Sequence, residues 1–259
     1  MSVESFATPP AGQATQSAGQ DPAGLPGFGS ASAESYDRLM GRYVPELAGK
    51  LCDAAGIRPG QHVLDVGCGP GGLTGVLVSR VGAGQVTAID PTPQFVAACR
   101  ERNPGVDVRE GVAEQLPWPD ATFDAALASL VMAFMKDPDQ GIREMKRVTR
   151  PGGTVATCMW DLAGGGMTML QVWRSAVDAV RPDLQAGEPI PAGGTQGDIA
   201  RRFRDAGLID VTDGELTSHA DYTDLDDLWV PFTMGVGPAA RVVAAMSEEE
   251  RAEVREQCR

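Results

Sequence analysis

The chain has 259 residues, 42% of them apolar, which suits one α/β domain with a tail and is too short for two large domains. A formal charge of −13, with the basic residues scattered among acids, argues against a nucleic-acid partner. Five cysteines without a C-x-x-C pair fit a reducing cytoplasm better than a disulfide framework or a zinc site, and no metal site is indicated. No apolar run is long enough to span a membrane, and the N-terminus lacks the basic-then-apolar order of a signal peptide.

Residues 1–33 are rich in Ala, Gly, Pro, Ser and Gln and are expected to be a disordered tail. From Glu34 the composition changes. Tyr36, Leu39, Met40, Tyr43, Leu47 and Leu51 recur at helical intervals, which predicts one leading helix over residues 34–56, stopped by Pro59-Gly60.

Residues 61–74, QHVLDVGCGPGGLT, follow as the stretch around which the chain is organised. Val63, Leu64 and Val66 suit a buried strand, which breaks into Gly67, Gly69, Gly71 and Gly72. Leu73, Val76, Leu77 and Val81 then recur at helical spacing. A strand, a glycine turn and a helix N-terminus bring bare backbone N–H groups to an anion, so this is a nucleotide-type cofactor site. Gly67, Gly69 and Gly72 also satisfy G-x-G-x-x-G, which leaves a dinucleotide open at this point.

Residues 85–90 form the second strand. Its terminal Asp90 can accept both hydroxyls of a ribose. Asp65, an acid within a buried strand, needs hydrogen bonds, and the loop N–H groups are its natural donors. Residues 106–108 read as strand three. Residues 123–128 read as strand four, with Ser129 at its carboxyl end, where open α/β sheets bind ligands. A helix over 139–148, a turn at Pro151-Gly152-Gly153 and a fifth strand over 154–159 complete a parallel, doubly wound sheet.

Beyond Asp161, residues 186–197 read as a loop or lid, 199–208 as a helix, 211–222 as a sixth strand, and 239–256 as helix with a Ser247/Glu250 capping box. Met132, Phe134, Met135, Met159, Trp160, Met167, Met169 and Trp173 gather near the ends of strands four and five, where they suit an adaptable apolar pocket or core.

Asp65 with the glycines gives D-x-G-x-G-x-G, and Ala88-Ile89-Asp90 closes the next strand. Residues 114–124, EQLPWPDATFD, and 147–153, RVTRPGG, follow in order. Together these resemble motif I, the acidic motif, the E-x-L-P-F-x-D-x-x-F-D segment and the R-V-L-K-P-G-G turn of class I S-adenosylmethionine-dependent methyltransferases. The likeness is to the small-molecule branch that includes quinone-biosynthesis and natural-product enzymes, and it covers roughly residues 34–235.

The resemblance implies an α/β, doubly wound, Rossmann-like, mostly parallel sheet in a single domain over 34–259. That domain comprises a cap helix (34–56), a cofactor-binding core (57–161) and a substrate-side part (162–259). It implies S-adenosylmethionine as cofactor, held by Tyr36, Arg42, Asp65, Gly67, Gly69, Asp90, Pro91, Ala113, Glu114 and Ser129. Val112 stands where the family usually places an adenine-binding Asp.

The implied activity is methyl transfer to a small acceptor, apolar or natural-product-like. If the acceptor is a hydroxyl, His219 and Asp161 are the candidates for a base, whereas His62 precedes strand one at the far end and reads as structural. The competing readings are a nicotinamide-dependent oxidoreductase and a cofactor-binding protein that does not methylate. The former lacks a Tyr-x-x-x-Lys pair, and Lys50, Lys136 and Lys146 are poorly placed to supply one.

Such sheets normally end in a seventh, antiparallel strand. Here either the chain stops short of it, leaving a free edge prone to homodimer formation, or residues 211–222 fold back at Asp213-Gly214 to supply it. The first is preferred, because residues 216–222 are too polar for an interior strand.

Overall fold

The computed structural model describes residues 32–184, 189–237 and 239–259, so residues 1–31 of the predicted tail and 186–188 of the predicted loop lie outside the described residues, while Ser32 and Ala33, expected in the tail, cap and open the first helix. Five strands, β1 (Val63–Val66), β2 (Val86–Asp90), β3 (Asp107–Glu110), β4 (Phe123–Ser129) and β5 (Thr149–Cys158), form one parallel sheet in the order β3-β2-β1-β4-β5. The order reverses at β1, so the carboxyl ends of β1 and β2 and the start of β4's exit loop converge on one crevice.

Every β1 and β2 residue is buried, because helices cover both faces. Val63, Ala125 and Leu127 pack under α2 (Val44–Ala54) and α3 (Gly72–Val81). Leu64, Val66, Ala126 and Ala128 face α5 (Pro138–Val148) on the opposite side. This period-two alternation turns Asp65 toward the α3 face, where Thr74 waits.

The leading helix is not continuous. Ala33–Tyr36 (α1) runs into a π-helical turn at Asp37–Gly41, a break at Arg42-Tyr43, and then α2. Leu39, Met40, Tyr43 and Leu47 still reach the core, so the helical spacing registered burial and not the break. The Pro151-Gly152-Gly153 turn lies inside β5. Gly152 has φ +77°, a register shift against β4 falls at Phe123/Ala125, and a Cβ on Gly153 would stand 2.5 Å from the Asp124 carbonyl oxygen.

Residues 211–222 form no strand. Their inward and outward alternation is real, with Leu216, Ser218, Ala220 and Tyr222 turned in, but the segment lies along α2 instead of pairing in the sheet. Lys50 Nζ donates to Thr217 O, Ser218 Oγ donates to Tyr43 O, and His219 N–H donates to Glu46 Oε2 at 2.9 Å. Side chains of α2 have taken the backbone groups that a ladder would have used. Among the described residues β5 is therefore an edge strand, as β3 is on the other side, and the sheet has five strands where six were expected.

The remaining helices, α4 (Pro93–Arg102), α6 (Thr168–Val180), α7 (Asp198–Asp205), α8 (Leu225–Thr233), α9 (Ala239–Ala244) and α10 (Glu248–Gln257), are all shorter than a membrane span. The predicted last helix is two helices. Ser247 caps α10 with the reciprocal Glu250 bond expected of a capping box. With α1, helices α6, α8, α9 and α10 bury Met167, Met169, Trp173, Trp229 and Phe232 in a second core above the carboxyl end of the sheet.

Candidate functional site

A cavity of about 360 Å³ opens at the topological switch point. Its floor is the glycine loop, where Gly67 (φ +70°) and Gly69 (φ +53°) take the left-handed conformation that glycine adopts freely. A Cβ on Gly69 would meet no protein atom within 4 Å, whereas one on Gly67 would stand 2.5 Å from both methyls of Val131. Gly67 and Cys68 N–H both donate to Ile89 O, at 2.8 and 3.0 Å, and Gly69 N–H donates to Asp90 Oδ2 at 2.9 Å. The loop is thus tied to the end of β2 by three backbone donors.

Asp90 is 6% exposed and sits in the cavity wall. Its other oxygen accepts Thr92 N–H at 2.9 Å. Burial pushes its carboxyl above the usual range, and the Thr92 and Gly69 N–H bonds pull against that. Each oxygen carries one protein hydrogen bond, which leaves a lone pair on each for a pair of ligand hydroxyls.

Tyr36 closes the top of the cavity, its ring edge-on to Phe95 at 5.5 Å. Burial, and then the carboxylates of Asp90 and Asp37, push its phenol above the usual value, so it remains a neutral hydroxyl. The side wall is apolar: Val112, Ala113, Leu130, Val131, Phe134 and Met135.

Eight of the ten residues expected at the cofactor line this cavity, namely Tyr36, Gly67, Gly69, Asp90, Pro91, Ala113, Glu114 and Ser129. Two do not. Arg42 turns away, because its guanidinium forms a bidentate pair with Asp227, at 2.7 and 3.2 Å, and lies 4.4 Å over the Tyr222 ring.

Asp65 lies beneath the loop instead of in the cavity wall, and its donor is not the loop. Thr74 Oγ1 donates to Oδ2 at 2.6 Å, while Oδ1 is buried without a partner among the described residues. Burial lifts its carboxyl to about 8, so it is protonated at neutral pH. The loop N–H groups had already been taken by Ile89 and Asp90.

Neither candidate base is at the site. The His219 side chain is 80% exposed and stands 3.9 Å from Glu46, on the α2 side. Asp161 Oδ1 accepts Gly164 N–H at 2.9 Å and closes a turn after β5. His62 is structural, bonded to Asp124 and packed on Phe123. Of the apolar group near strands four and five, Phe134 and Met135 line the cavity, while Met132, Met167, Met169 and Trp173 are core.

Two features of the cavity gave no sequence signal: the backbone of Leu130 and the partner of Glu114. Leu130 has φ +61°, a conformation costly for a side-chain residue. It is held there by its N–H bond to Cys158 O at 2.9 Å, and it is 7% exposed. Glu114 Oε1 accepts the N–H groups of Lys136 (2.7 Å) and Asp137 (3.2 Å), so the expected cofactor acid clips the 136–137 loop across the cavity mouth. Such a partner 22 residues distant cannot be read from a motif. The rest of the 114–124 segment is also a latch. Arg147 donates to Leu116 O and Trp118 O and pairs with Asp120, while Glu144 accepts Leu116 N–H.

Residues 64–157 match a family model described as a methyltransferase domain. A 37.1 kDa protein carried in a Streptomyces fradiae transposon is 39% identical over 107 residues, covering 40% of this chain and 31% of that protein. A malonyl-acyl-carrier-protein O-methyltransferase of Serratia marcescens is 32% identical over 131 residues, covering 48% of this chain and 51% of that enzyme. The chain thus spans a third to a half of the length of these curated relatives. The structure of the (4+2)-cyclase SpnF superposes with a TM-score of 0.53, with 22% identity, over 81% of this chain and 74% of that one. At that identity the likeness concerns the fold.

Proposed function

We propose that this chain transfers a methyl group from S-adenosylmethionine to a small, largely apolar acceptor, a reading supported by the match of residues 64–157 to a methyltransferase-domain family model. The observation that carries the reading is Asp90 and the glycine loop meeting in one cavity, with the Asp90 carboxylate still able to accept a hydroxyl at each oxygen. The residues fit the cofactor. Gly69 leaves room against the backbone, Asp90 suits the ribose, the apolar wall of Val112, Ala113 and Met135 suits a base, and Tyr36 with Phe95 covers the crevice.

When bound, the cofactor supplies an activated sulfonium methyl group. The chain's part is to orient and to exclude water. Leu130, Phe134 and Phe95 give the acceptor a dry apolar seat, and Tyr36, held neutral, adds no charge to it. His219 and Asp161 are turned away, and no histidine lines the cavity.

The SpnF comparison carries a reminder that one fold hosts different reactions, so the test must read methyl transfer itself. Calorimetry should show binding of S-adenosylmethionine and none of NAD. Labelled methyl should then appear in a small-molecule fraction of a cell extract. Binding of NAD in its place would overturn the cofactor, and binding without any labelled product would overturn the transfer.

A further inference from the structure

One face of α4 meets the cover of the cavity through two side chains. Phe95 and Arg102 stand two helical turns apart, a spacing that returns to within about 20° of the same direction. Phe95 packs edge-on against the Tyr36 ring at 5.5 Å, and Arg102 Nη2 donates to the neighbouring Asp37 Oδ2 at 2.7 Å. The other guanidinium nitrogen, Nη1, donates to Pro70 O in the glycine loop at 3.4 Å. One side chain thus spans the loop that floors the cavity and the turn that carries Tyr36 over its top.

The chain on either side of Asp37 is held in different ways. Leu39 and Met40, in the π-helical turn, are buried in the second core, and Arg42 is paired with Asp227. Burial fixes that stretch. Ahead of it α1 is a single turn, with Ser35 N–H bonded to Ser32 Oγ and Tyr36 N–H bonded to Ser32 O at 3.0 Å. These bonds are local and do not tie α1 to the sheet. A Cβ on Gly41 would stand 3.1 Å from that of Asp37, so glycine there leaves the Asp37 side chain room to reach Arg102.

We propose that Arg102 is a positioning residue for the cofactor: through Asp37 it latches α1 over the cavity and slows the cofactor's release. The strength of the pair suits a latch. Its side chains are 42% and 41% exposed, so the attraction is weak and salt reaches it, whereas a buried pair would hold α1 shut. A nucleotide-sized ligand beneath Tyr36 leaves only while α1 is lifted, so its release rate follows the fraction of time that the latch is open. This inference rests on the reading of the cavity as the S-adenosylmethionine site.

The experiment follows the full chain loaded with labelled S-adenosylmethionine and chased with the unlabelled compound. At low salt Asp37→Asn and Arg102→Gln should each release the label about two- to fivefold faster than the parent. In about 1 M NaCl, where charges are screened beyond about 3 Å, the parent should approach the variants, whose own rates stay flat. The exchanged pair Asp37→Arg, Arg102→Asp should restore slow, salt-sensitive release, which a change in stability alone would not do. Amide hydrogen exchange at Tyr36 should quicken in both single variants without any ligand. Parent-like release from the single variants, or a parent rate indifferent to salt, overturns the proposal. A parent that binds no S-adenosylmethionine overturns the cofactor reading instead, and exchange at Tyr36 then decides whether Arg102 latches α1.

Discussion

Gly69 N–H donates to Asp90 Oδ2 at 2.9 Å, joining the loop after β1 to the last residue of β2. The acid expected to hold the ribose thus also fixes the shape of the loop beside it. Asp90→Asn keeps one carbonyl acceptor but replaces the other oxygen with a donor that faces Gly69 or Thr92 N–H. Affinity for S-adenosylmethionine should drop roughly tenfold to hundredfold, measured by calorimetry, with the circular dichroism spectrum unchanged. Parent-like affinity would remove Asp90 from the site.

Gly67 and Val131 give a second test. A Cβ at Gly67 would come within 2.5 Å of both Val131 methyls, at a backbone φ of +70°. Gly67→Ala should destabilise the fold by about 2 kcal/mol or more in urea unfolding and displace the cavity wall. The double variant Gly67→Ala, Val131→Ala should recover part of that loss, because only the backbone strain remains. A double variant no better than the single one would show that Val131 is not what the new methyl meets.

Arg42 separates cofactor contact from scaffold. Its bidentate pair with Asp227 and its place over Tyr222 tie the start of the chain to α8. Both side chains are partly exposed, at 21% and 28%, so the tie contributes only about 1 kcal/mol. Arg42→Ala should lower the melting temperature slightly while leaving affinity for S-adenosylmethionine within roughly twofold of the parent. A large loss of affinity at unchanged melting temperature would return Arg42 to the cofactor.

Asp65 sets a pH dependence. Its carboxyl is raised by burial to about 8 in the fold, against about 4 in an unfolded chain. The folded state therefore holds a proton that the unfolded state releases between these values. Its stabilising contribution is complete below pH of about 4, declines as pH rises, and is gone above about 8. Urea midpoints of the parent should fall across that window relative to Asp65→Asn, whose amide can still accept the Thr74 hydroxyl bond. Parallel profiles would mean that Asp65 is ionised in the fold.

Much of the parallel sheet and most of the cavity were written into the sequence, for local reasons. A buried apolar run ending in Gly67 and Gly69 can only be a strand breaking into a backbone-lined turn, and Asp90 closes the next strand at a fixed distance. The alternation at residues 215–222 was legible too, but alternation states only which side chains turn inward. Whether such a segment joins a ladder depends on what meets its backbone, and α2 met it first through Lys50 and Glu46.

The sequence by itself determined the elements whose cause lies within a few residues: the strands β1 to β4, the glycine loop, the acid that closes β2 and the Ser247 cap. Only the tertiary structure decided which distant partner each polar group found. Asp227 drew Arg42 out of the site, Thr74 took Asp65, the 136–137 loop took Glu114, and Cys158 O held Leu130 at positive φ. A buried charge or backbone group must be satisfied by whatever the fold brings to it, and spacing along the chain does not carry that information.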